Sequence, residues 1–312
     1  MLRALVLALS FGLLALASKP PRPVVVWHGL GDSHSSPGML DFLEGIKVIH
    51  PGIYVHSVYI EEELDKDRKA GFYGNVNSQV ELVADQLANI PELQDGFDAI
   101  GFSQGGQFLR AYIERYNTPA VNNLITFGSQ HMGVSDIAEC GRFDFVCQAA
   151  RRVALGAVYG QWAQENIVQA QYFRDPSRLE TYLEVNTFLA DINNEAPDSR
   201  NRTYVQNLAS LNKLVLVLFT EDKTVVPKES GWFGAEEIVD DGYSVLRHQI
   251  PLTPQAKNIV PMQKLPIYTE DWIGLRQLDD RGGIVFKTCK GVHMQLGDCW
   301  KGLVANFTGG TA

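Results

Sequence analysis

The stretch Phe97-Asp98-Ala99-Ile100-Gly101-Phe102-Ser103-Gln104-Gly105 decides the fold of this chain. Its last five residues have the pattern Gly-x-Ser-x-Gly, and the apolar run before them is typical of a buried strand. The following residues, 104–116, place Phe108, Leu109 and Tyr112 on one side of a predicted helix. A strand, a tight turn with a serine and a helix in this order indicate a nucleophile elbow, whose small flanking residues allow the hydroxyl to project into a cleft.

The rest of the chain has the strand and helix pattern that such an elbow requires. Short apolar runs rich in β-branched residues predict strands that are buried on both faces, as in a mostly parallel sheet. Helical patterns such as 76–90 alternate with them. The sequence therefore predicts an α/β-hydrolase with a mostly parallel, doubly wound sheet. The predicted strands are 23–27, 53–58, 97–102, 123–127, 213–219 and 283–288.

A helical insertion is predicted between two of the core strands. Residues from about 140 to 210 have a helical pattern without a central strand, and they include Trp162, Ile167 and Tyr172. As an inserted cap, these apolar residues would form a groove above the serine; alternatively, the segment is a helical part of the main core. We expect one α/β-hydrolase domain, 18–312, with the insertion at about 135–210.

The N-terminus predicts entry into the secretory pathway. Arg3 precedes a short apolar run that ends in Ala15-Leu16-Ala17, the form that signal peptidase accepts. We interpret residues 1–17 as a signal peptide, because the run is short for a membrane span; the alternative is a retained anchor. Two sequons for N-glycans, at Asn201 and Asn306, agree with this route.

Composition excludes some classes of partner. The 312 residues are 45% hydrophobic and 20% charged, which is ordinary for a globular protein with a large core. The net charge is −9 and there is no long basic run. Nucleic acid and anionic lipid surfaces are therefore not expected partners.

Four cysteines form two close pairs in the sequence, Cys140 with Cys147 and Cys289 with Cys299. Neither pair has the Cys-x-x-Cys spacing of a zinc ribbon or a thioredoxin-like site. On an oxidising secretory route, two local disulfides are the natural hypothesis.

A serine nucleophile needs a base within reach and a carboxylate that orients the base. In this fold the expected chain order is serine, acid, histidine, so only His248 and His293 lie late enough in the chain. His293 follows a predicted strand after a short loop, whereas His248 lies in a polar, irregular stretch. We therefore predict that His293 is the general base.

The predicted acid is Asp222, which comes directly after the predicted strand 213–219. Side chains at the carboxyl end of parallel strands meet at one edge of the sheet, where His293 is also expected. Glu221, Glu229 and, less favourably, Asp191 remain alternatives.

The oxyanion of the reaction needs two backbone N–H donors. One is expected from Gln104, the residue after the serine, and the other from Leu30 in the loop His28-Gly29-Leu30-Gly31-Asp32. This loop lacks the Gly-x-Gly-x-x-Gly pattern and the lysine of a phosphate-binding turn. Chemistry of this kind requires no metal or organic cofactor.

Seven blocks of the chain form a set in a fixed order. They are Val26-Trp27-His28-Gly29-Leu30-Gly31-Asp32-Ser33, Pro51-Gly52-Ile53-Tyr54-Val55, Asn75-Val76-Asn77-Ser78-Gln79-Val80, Gly101-Phe102-Ser103-Gln104-Gly105-Gly106-Gln107-Phe108-Leu109-Arg110, Phe188-Leu189-Ala190-Asp191-Ile192-Asn193, Trp232-Phe233-Gly234 and His293-Met294-Gln295-Leu296. Together they are more specific than the elbow alone. From about residue 22 to residue 302, the chain resembles the palmitoyl-protein thioesterase family, in its lysosomal, type 1 form.

The resemblance implies a lysosomal or vacuolar enzyme, possibly secreted, that removes long fatty acyl groups from S-acylated cysteines of proteins or peptides. It implies that Ser103 is the nucleophile and His293 the base, and that the acyl chain lies in an apolar groove of the insertion. The other implied features are the oxyanion donors Leu30 and Gln104, a disulfide between Cys140 and Cys147, and glycosylation of Asn201.

The chain departs from the family at one position. In animal relatives the catalytic aspartate directly precedes a proline, but here Val226 precedes Pro227. Either Asp222, four residues earlier, supplies the carboxylate, or the triad is weakened. This departure keeps open a non-catalytic protein that binds acyl peptides. A secreted lipase or carboxylesterase acting on oxygen esters also stays open, because it would have the same catalytic machinery.

Overall fold

The structure is a computed structural model that describes residues 20–136, 154–238 and 258–310. The predicted signal peptide, residues 1–17, lies outside the described residues, as do Cys140, Cys147 and His248. Within the described ranges, no helix combines the length and the apolar character needed to span a bilayer.

The described residues contain a central sheet of six parallel strands in the order β2-β1-β3-β4-β5-β8. The four inner strands consist almost entirely of buried side chains, as expected for a sheet that is covered on both faces. A short antiparallel pair, β6 and β7, lies apart from this sheet. The strands are β1 Val24–Trp27, β2 Val55–Ser57, β3 Phe97–Phe102, β4 Val121–Phe127, β5 Lys213–Phe219, β6 Ala235–Glu236, β7 Ile259–Val260 and β8 Ile284–Cys289.

Helices connect the parallel strands. Those among the described residues include α1 Pro37–Ile49, α2 Leu64–Ala70, α3 Val76–Ala88, α4 Gln104–Arg115, α5 Gln161–Asn166, α6 Leu179–Val185, α7 Leu189–Ile192, α8 Arg202–Ala209, α9 Pro266–Thr269, α10 Leu275–Asp280 and α11 Cys299–Phe307. Two of them begin at capping side chains: Ser36 accepts a hydrogen bond from the N–H of Met39 at the start of α1, and Asn75 accepts one from the N–H of Ser78 at the start of α3.

The two faces of the sheet carry separate hydrophobic clusters, because successive side chains of a strand point to opposite faces. In β1, Val25 and Trp27 pack with α3 and α4, whereas Val24 and Val26 pack with α1 and α11. Helices thus cover both faces of a parallel sheet. The predicted α/β-hydrolase fold with a doubly wound sheet is confirmed.

The chain between β4 and β5 is helical in its described part and contains no strand of the central sheet there. Residues 154–173 cover a cavity beside Ser103, whereas α8 packs on α4 and Asn207 donates a hydrogen bond to the backbone oxygen of Glu114. The boundaries of a cap at about 135–210 stay a prediction.

The turn between β3 and α4 is possible only because glycines surround it. A Cβ atom on Gly101 would lie 2.2 Å from the Cα atom of Gly106, and one on Gly105 would lie 2.4 Å from the carbonyl oxygens of Trp27 and His28. Backbone therefore packs directly on backbone here. Any side chain at these positions would push α4 away from the sheet.

We expect Gly101→Ala to lower the free energy of unfolding by at least about 3 kcal/mol, because neither backbone segment can move aside without losing sheet contacts. The matched control is Gly302→Ala in α11, where an added Cβ meets nothing within 4 Å. That variant should gain about 0.5–1 kcal/mol, because alanine favours helix over glycine. Urea unfolding of both variants measures the difference, and equal effects would contradict the packing argument.

Candidate active site

Ser103 lies at the tight turn after β3 with φ 50° and ψ −123°, a conformation that costs energy for a non-glycine residue. Its N–H donates a hydrogen bond of 2.8 Å to the backbone oxygen of Phe127, which fixes the turn against β4. Its Oγ atom lies 3.1 Å from Nε2 of His293. The side chain is therefore held where a base can accept its proton.

His293 also contacts Asp222, with 2.6 Å between Nδ1 and the carboxylate Oδ2 atom. Since the carboxylate can only accept, Nδ1 carries the proton and Nε2 presents its lone pair to Ser103. The other oxygen of Asp222 accepts the N–H groups of Thr224 at 2.8 Å and Val225 at 3.1 Å. These bonds hold the carboxylate in the orientation that its contact with the imidazole requires.

The three side chains come from the carboxyl ends of β3, β5 and β8, as the strand-end argument predicts. The acidic alternatives lie elsewhere. Asp191 pairs with Arg115 at 2.6 Å and accepts from Tyr204, and Glu221 is exposed. The carboxylate that contacts His293 is that of Asp222.

Val226, which precedes Pro227 where the family resemblance led us to expect the acid, contacts another part of the chain. Its backbone oxygen accepts a hydrogen bond of 2.8 Å from the N–H of Ser135, and its peptide bond to Pro227 is cis. The valine thus joins the loop after β5 to the segment after β4. The carboxylate beside His293 comes from four residues earlier in the chain.

The two predicted oxyanion donors lie on either side of Ser103. Gln104 is the first residue of α4, so its N–H has no acceptor inside the helix. Gly29 packs against the serine, because a Cβ atom there would lie 3.2 Å from Cβ of Ser103. The backbone of the next residue, Leu30, is thereby brought to the serine.

The side chain of Gln104 connects this site to the insertion, a contact that the sequence did not reveal. The hydroxyl of Tyr172 donates to its Oε1 atom at 3.1 Å, and its Nε2 atom donates to the backbone oxygen of Gly71 at 3.1 Å. Burial raises the pKa of Tyr172, so the hydroxyl stays neutral and remains a donor. The first turn of α4 is thus held from two sides.

A cavity of about 1080 Å³ opens beside Ser103 and His293. Its wall is mainly apolar and combines side chains of the hydrolase core with side chains of the insertion. Its size is at the upper end of the range for small-molecule sites. The main apolar lining residues are Met39, Phe42, Phe102, Met294 and Leu296 from the core, and Val158, Ala163, Ile167, Tyr172 and Phe173 from the insertion.

The matched family model is described as palmitoyl protein thioesterase, and it covers residues 23–293, from β1 to the histidine of the site. The chain belongs to the palmitoyl-protein thioesterase family. Palmitoyl-protein thioesterase 1 of Caenorhabditis elegans is 40% identical over 275 residues, which is 88% of this chain and 87% of the relative. Palmitoyl-protein thioesterase 3 of Dictyostelium discoideum is 35% identical and covers 97% of this chain and 95% of its own.

A more distant relative, the lysosomal thioesterase PPT2 homolog of Drosophila melanogaster, is 27% identical and covers 87% of this chain and 85% of its own. Among solved structures, the RedJ thioesterase from the prodiginine biosynthetic pathway of Streptomyces coelicolor aligns with a TM-score of 0.43 and 14% identity. That alignment covers 92% of this chain and 89% of the other.

This member of the thioesterase family has a disulfide at the loop that carries the histidine. Cys289, the last residue of β8, is bonded to Cys299, the first residue of α11. The intervening residues, 290–298, form the base loop and include His293. The bond connects both ends of this loop across ten positions of sequence, so it restricts the movement of the imidazole relative to β5 and β3.

We expect Asp222→Asn to lower kcat on an activated ester by about 10³- to 10⁴-fold, because an amide can face Nδ1 with its N–H₂ group and so stabilise the wrong tautomer of His293. The controls are Glu221→Gln and Glu229→Gln, which should retain activity close to that of the parent chain. If one of the controls lost activity while Asp222→Asn kept it, the carboxylate changed in that control would have the orienting role instead of Asp222.

We expect the double variant Cys289→Ala/Cys299→Ala to lose about 3 kcal/mol of stability, because a cross-link over a loop of this length restricts the unfolded chain. Its kcat should also fall, because the base loop gains freedom. The matched comparison is Cys140→Ala/Cys147→Ala, which leaves the base loop untouched. Thermal unfolding and kcat are measured for both, and a greater fall of kcat in the second variant would contradict the positioning of His293 by the disulfide.

Proposed function

We propose that this chain hydrolyses thioesters between long fatty acyl groups and cysteine, in S-acylated proteins or peptides. The observation that carries the proposal is the contact of Ser103 with His293 at the mouth of a large apolar cavity, in a chain of this family. The cavity suits a flexible hydrocarbon chain. With the chain in the cavity, the acyl carbonyl carbon would lie at the mouth, beside Ser103.

In the first step, Nε2 of His293 takes the proton of Ser103 and the serine oxygen attacks the thioester carbonyl. Asp222 stabilises the imidazolium that forms and holds it in place. The negative charge on the carbonyl oxygen is stabilised by the N–H groups of Leu30 and Gln104. The bond between carbon and sulfur then breaks, and the cysteine sulfur leaves with the proton from His293.

In the second step, water enters after the thiol has left. His293 takes a proton from the water, and the resulting hydroxide attacks the acyl-serine carbonyl beside the same two N–H donors. The bond to the serine oxygen breaks, and Ser103 recovers its proton from the imidazolium. A free fatty acid is released, and the site returns to its starting protonation.

Apolar burial in the cavity would give selectivity for long acyl chains. Each buried methylene contributes about 0.8 kcal/mol, so several methylenes can separate palmitoyl from short acyl groups by orders of magnitude. The insertion contributes about half of the apolar wall named above, so it should influence chain length without touching the reacting atoms.

We also propose that the protein reaches an acidic compartment, a lysosome or vacuole, through the secretory pathway. The N-terminal signal pattern, the disulfide between Cys289 and Cys299, and the names of relatives called lysosomal thioesterases support this route. Asn201 and Asn306 are both exposed and would accept glycans. A shift in mass after treatment with a glycosidase would test whether these asparagines carry glycans.

The decisive experiment compares hydrolysis of a palmitoyl-cysteine peptide with that of its oxygen-ester analogue. We expect turnover of the thioester that is lost in Ser103→Ala, because the acyl-enzyme cannot form without the hydroxyl. Turnover of the oxygen ester alone would instead indicate a lipase or carboxylesterase. Binding of the acyl peptide without any turnover would indicate a binding protein.

A variant of the cavity wall tests the place of the acyl chain. Ala163→Phe adds a bulky ring to the wall, and it should lower kcat/KM for palmitoyl-cysteine by about 10-fold or more, the loss of a few buried methylenes. Activity on a butyryl thioester should change little. The control is Ala88→Phe on an exposed position of α3, and equal losses on both chain lengths would contradict this place for the chain.

A further inference from the structure

The loop that presents Leu30 is held at both of its ends by one buried carboxylate. The oxyanion loop, residues 28–34, begins at His28 and ends at His34, and both histidines contact the Oδ2 atom of Asp67 in α2. From Oδ2 of Asp67, the distance to Nε2 of His28 is 3.1 Å and the distance to Nδ1 of His34 is 3.0 Å. The backbone N–H of His34 donates a hydrogen bond of 2.9 Å to the same oxygen. The side chain of Asp67 is completely buried.

His28 is held between the loop backbone and Asp67. Its Nδ1 atom lies 3.0 Å from the backbone oxygen of Gly29, and its Nε2 atom lies 3.1 Å from Oδ2 of Asp67, a close contact that is not aligned as a hydrogen bond. The imidazole is buried, so these two contacts fix its position at the start of the oxyanion loop.

The contacts of Asp67 stabilise its carboxylate form. Its Oδ1 atom accepts the N–H groups of Ile60 at 2.8 Å and Glu61 at 3.3 Å. Burial by itself would raise the pKa of Asp67, but the contact with His28 and the backbone N–H groups of His34 and Ile60 outweigh it and hold the pKa well below its usual range.

The same segment of chain also reaches the second oxyanion donor. Gly71 follows α2 directly, and its backbone oxygen accepts the side-chain N–H of Gln104 at 3.1 Å. A Cβ atom on Gly71 would lie 3.7 Å from the backbone nitrogen of Gly31, so the end of α2 also packs on the oxyanion loop. One short helix thus holds the loop of Leu30 and the side chain of Gln104.

We propose that Asp67 is a positioning residue for the oxyanion hole, and that it acts by binding His28 and His34 at the two ends of the loop that carries Leu30. This inference rests on the proposed serine hydrolase mechanism. Asp67 touches neither substrate nor the reacting atoms; it determines where the N–H of Leu30 lies relative to Ser103.

Asp67→Asn tests the proposal, because it keeps the shape of the side chain and removes its charge. We expect kcat on palmitoyl-cysteine to fall about 10- to 100-fold with little change in KM, since loss of one oxyanion donor costs about 10²- to 10³-fold and displacement of a donor costs less. Asp67→Glu, which restores the charge, should recover part of the loss.

The matched control is Asp98→Asn. Asp98 is equally buried and also accepts backbone N–H groups, from Asn123 and Gly309, but it lies at the opposite end of β3 from Ser103. The Asp98→Asn variant should lose stability and keep its kcat per folded molecule. A kcat of Asp67→Asn equal to that of the parent chain, or losses of equal size in both variants, would overturn the proposal.

A further readout separates positioning from general loss of structure. A palmitoyl trifluoromethyl ketone, which forms a tetrahedral oxyanion on the serine, should bind Asp67→Asn about 10- to 100-fold more weakly, whereas the affinity for palmitate should change less than about threefold. Parallel weakening of both ligands would indicate a merely structural role and overturn the proposal.

Binding of the ketone also distinguishes the two hypotheses from each other, because it requires no thioester turnover. If the parent chain binds the ketone more tightly than Asp67→Asn does but does not cleave palmitoyl-cysteine, the proposed substrate alone would be refuted. Cleavage of palmitoyl-cysteine that is independent of Asp67 would refute the positioning role alone.

Discussion

The structure depends on the direct packing of backbone on backbone where β3 turns into α4. Gly101 lies against Gly106, and Gly105 lies against the carbonyl oxygens at the end of β1. This close approach forces the left-handed conformation of Ser103 and places its hydroxyl above the carboxyl edge of the sheet. Every other part of the site is arranged around that fixed point: the base loop, the strand end with Asp222, and the oxyanion loop.

Polar contacts and an apolar cavity meet at this edge of the sheet. The low polarity of the surroundings makes the polar contacts stronger. Ser103, His293 and Asp222 form a short series of polar contacts, while the neighbouring cavity is mainly apolar. A developing charge in such a place is stabilised by fixed donors and not by mobile water. The polar groups are therefore anchored by further bonds, from Thr224 and Val225 to Asp222.

The agreement between sequence and structure has a physical basis. All six predicted strands are present, because inner strands of a parallel sheet are continuous apolar runs that differ clearly from the segments around them. The prediction was least accurate at β2: 53–58 was expected, and only Val55–Ser57 pairs, with Val24–Val26 of β1. The short ladder of β6 and β7 was not predicted, because two residues per strand leave no periodic pattern.

The sequence by itself determined the fold class, the family, and the candidates Ser103, Asp222 and His293, because strand ends and the elbow are local patterns. It left Glu221, Glu229 and Asp191 open beside Asp222, and only the tertiary structure decided which carboxylate reaches the imidazole. The contacts of Asp67 with the two histidines and of Tyr172 with Gln104 also came from the tertiary structure alone. They join residues 33 or more positions apart, and a single buried aspartate or tyrosine carries no signal of the distant group that it binds.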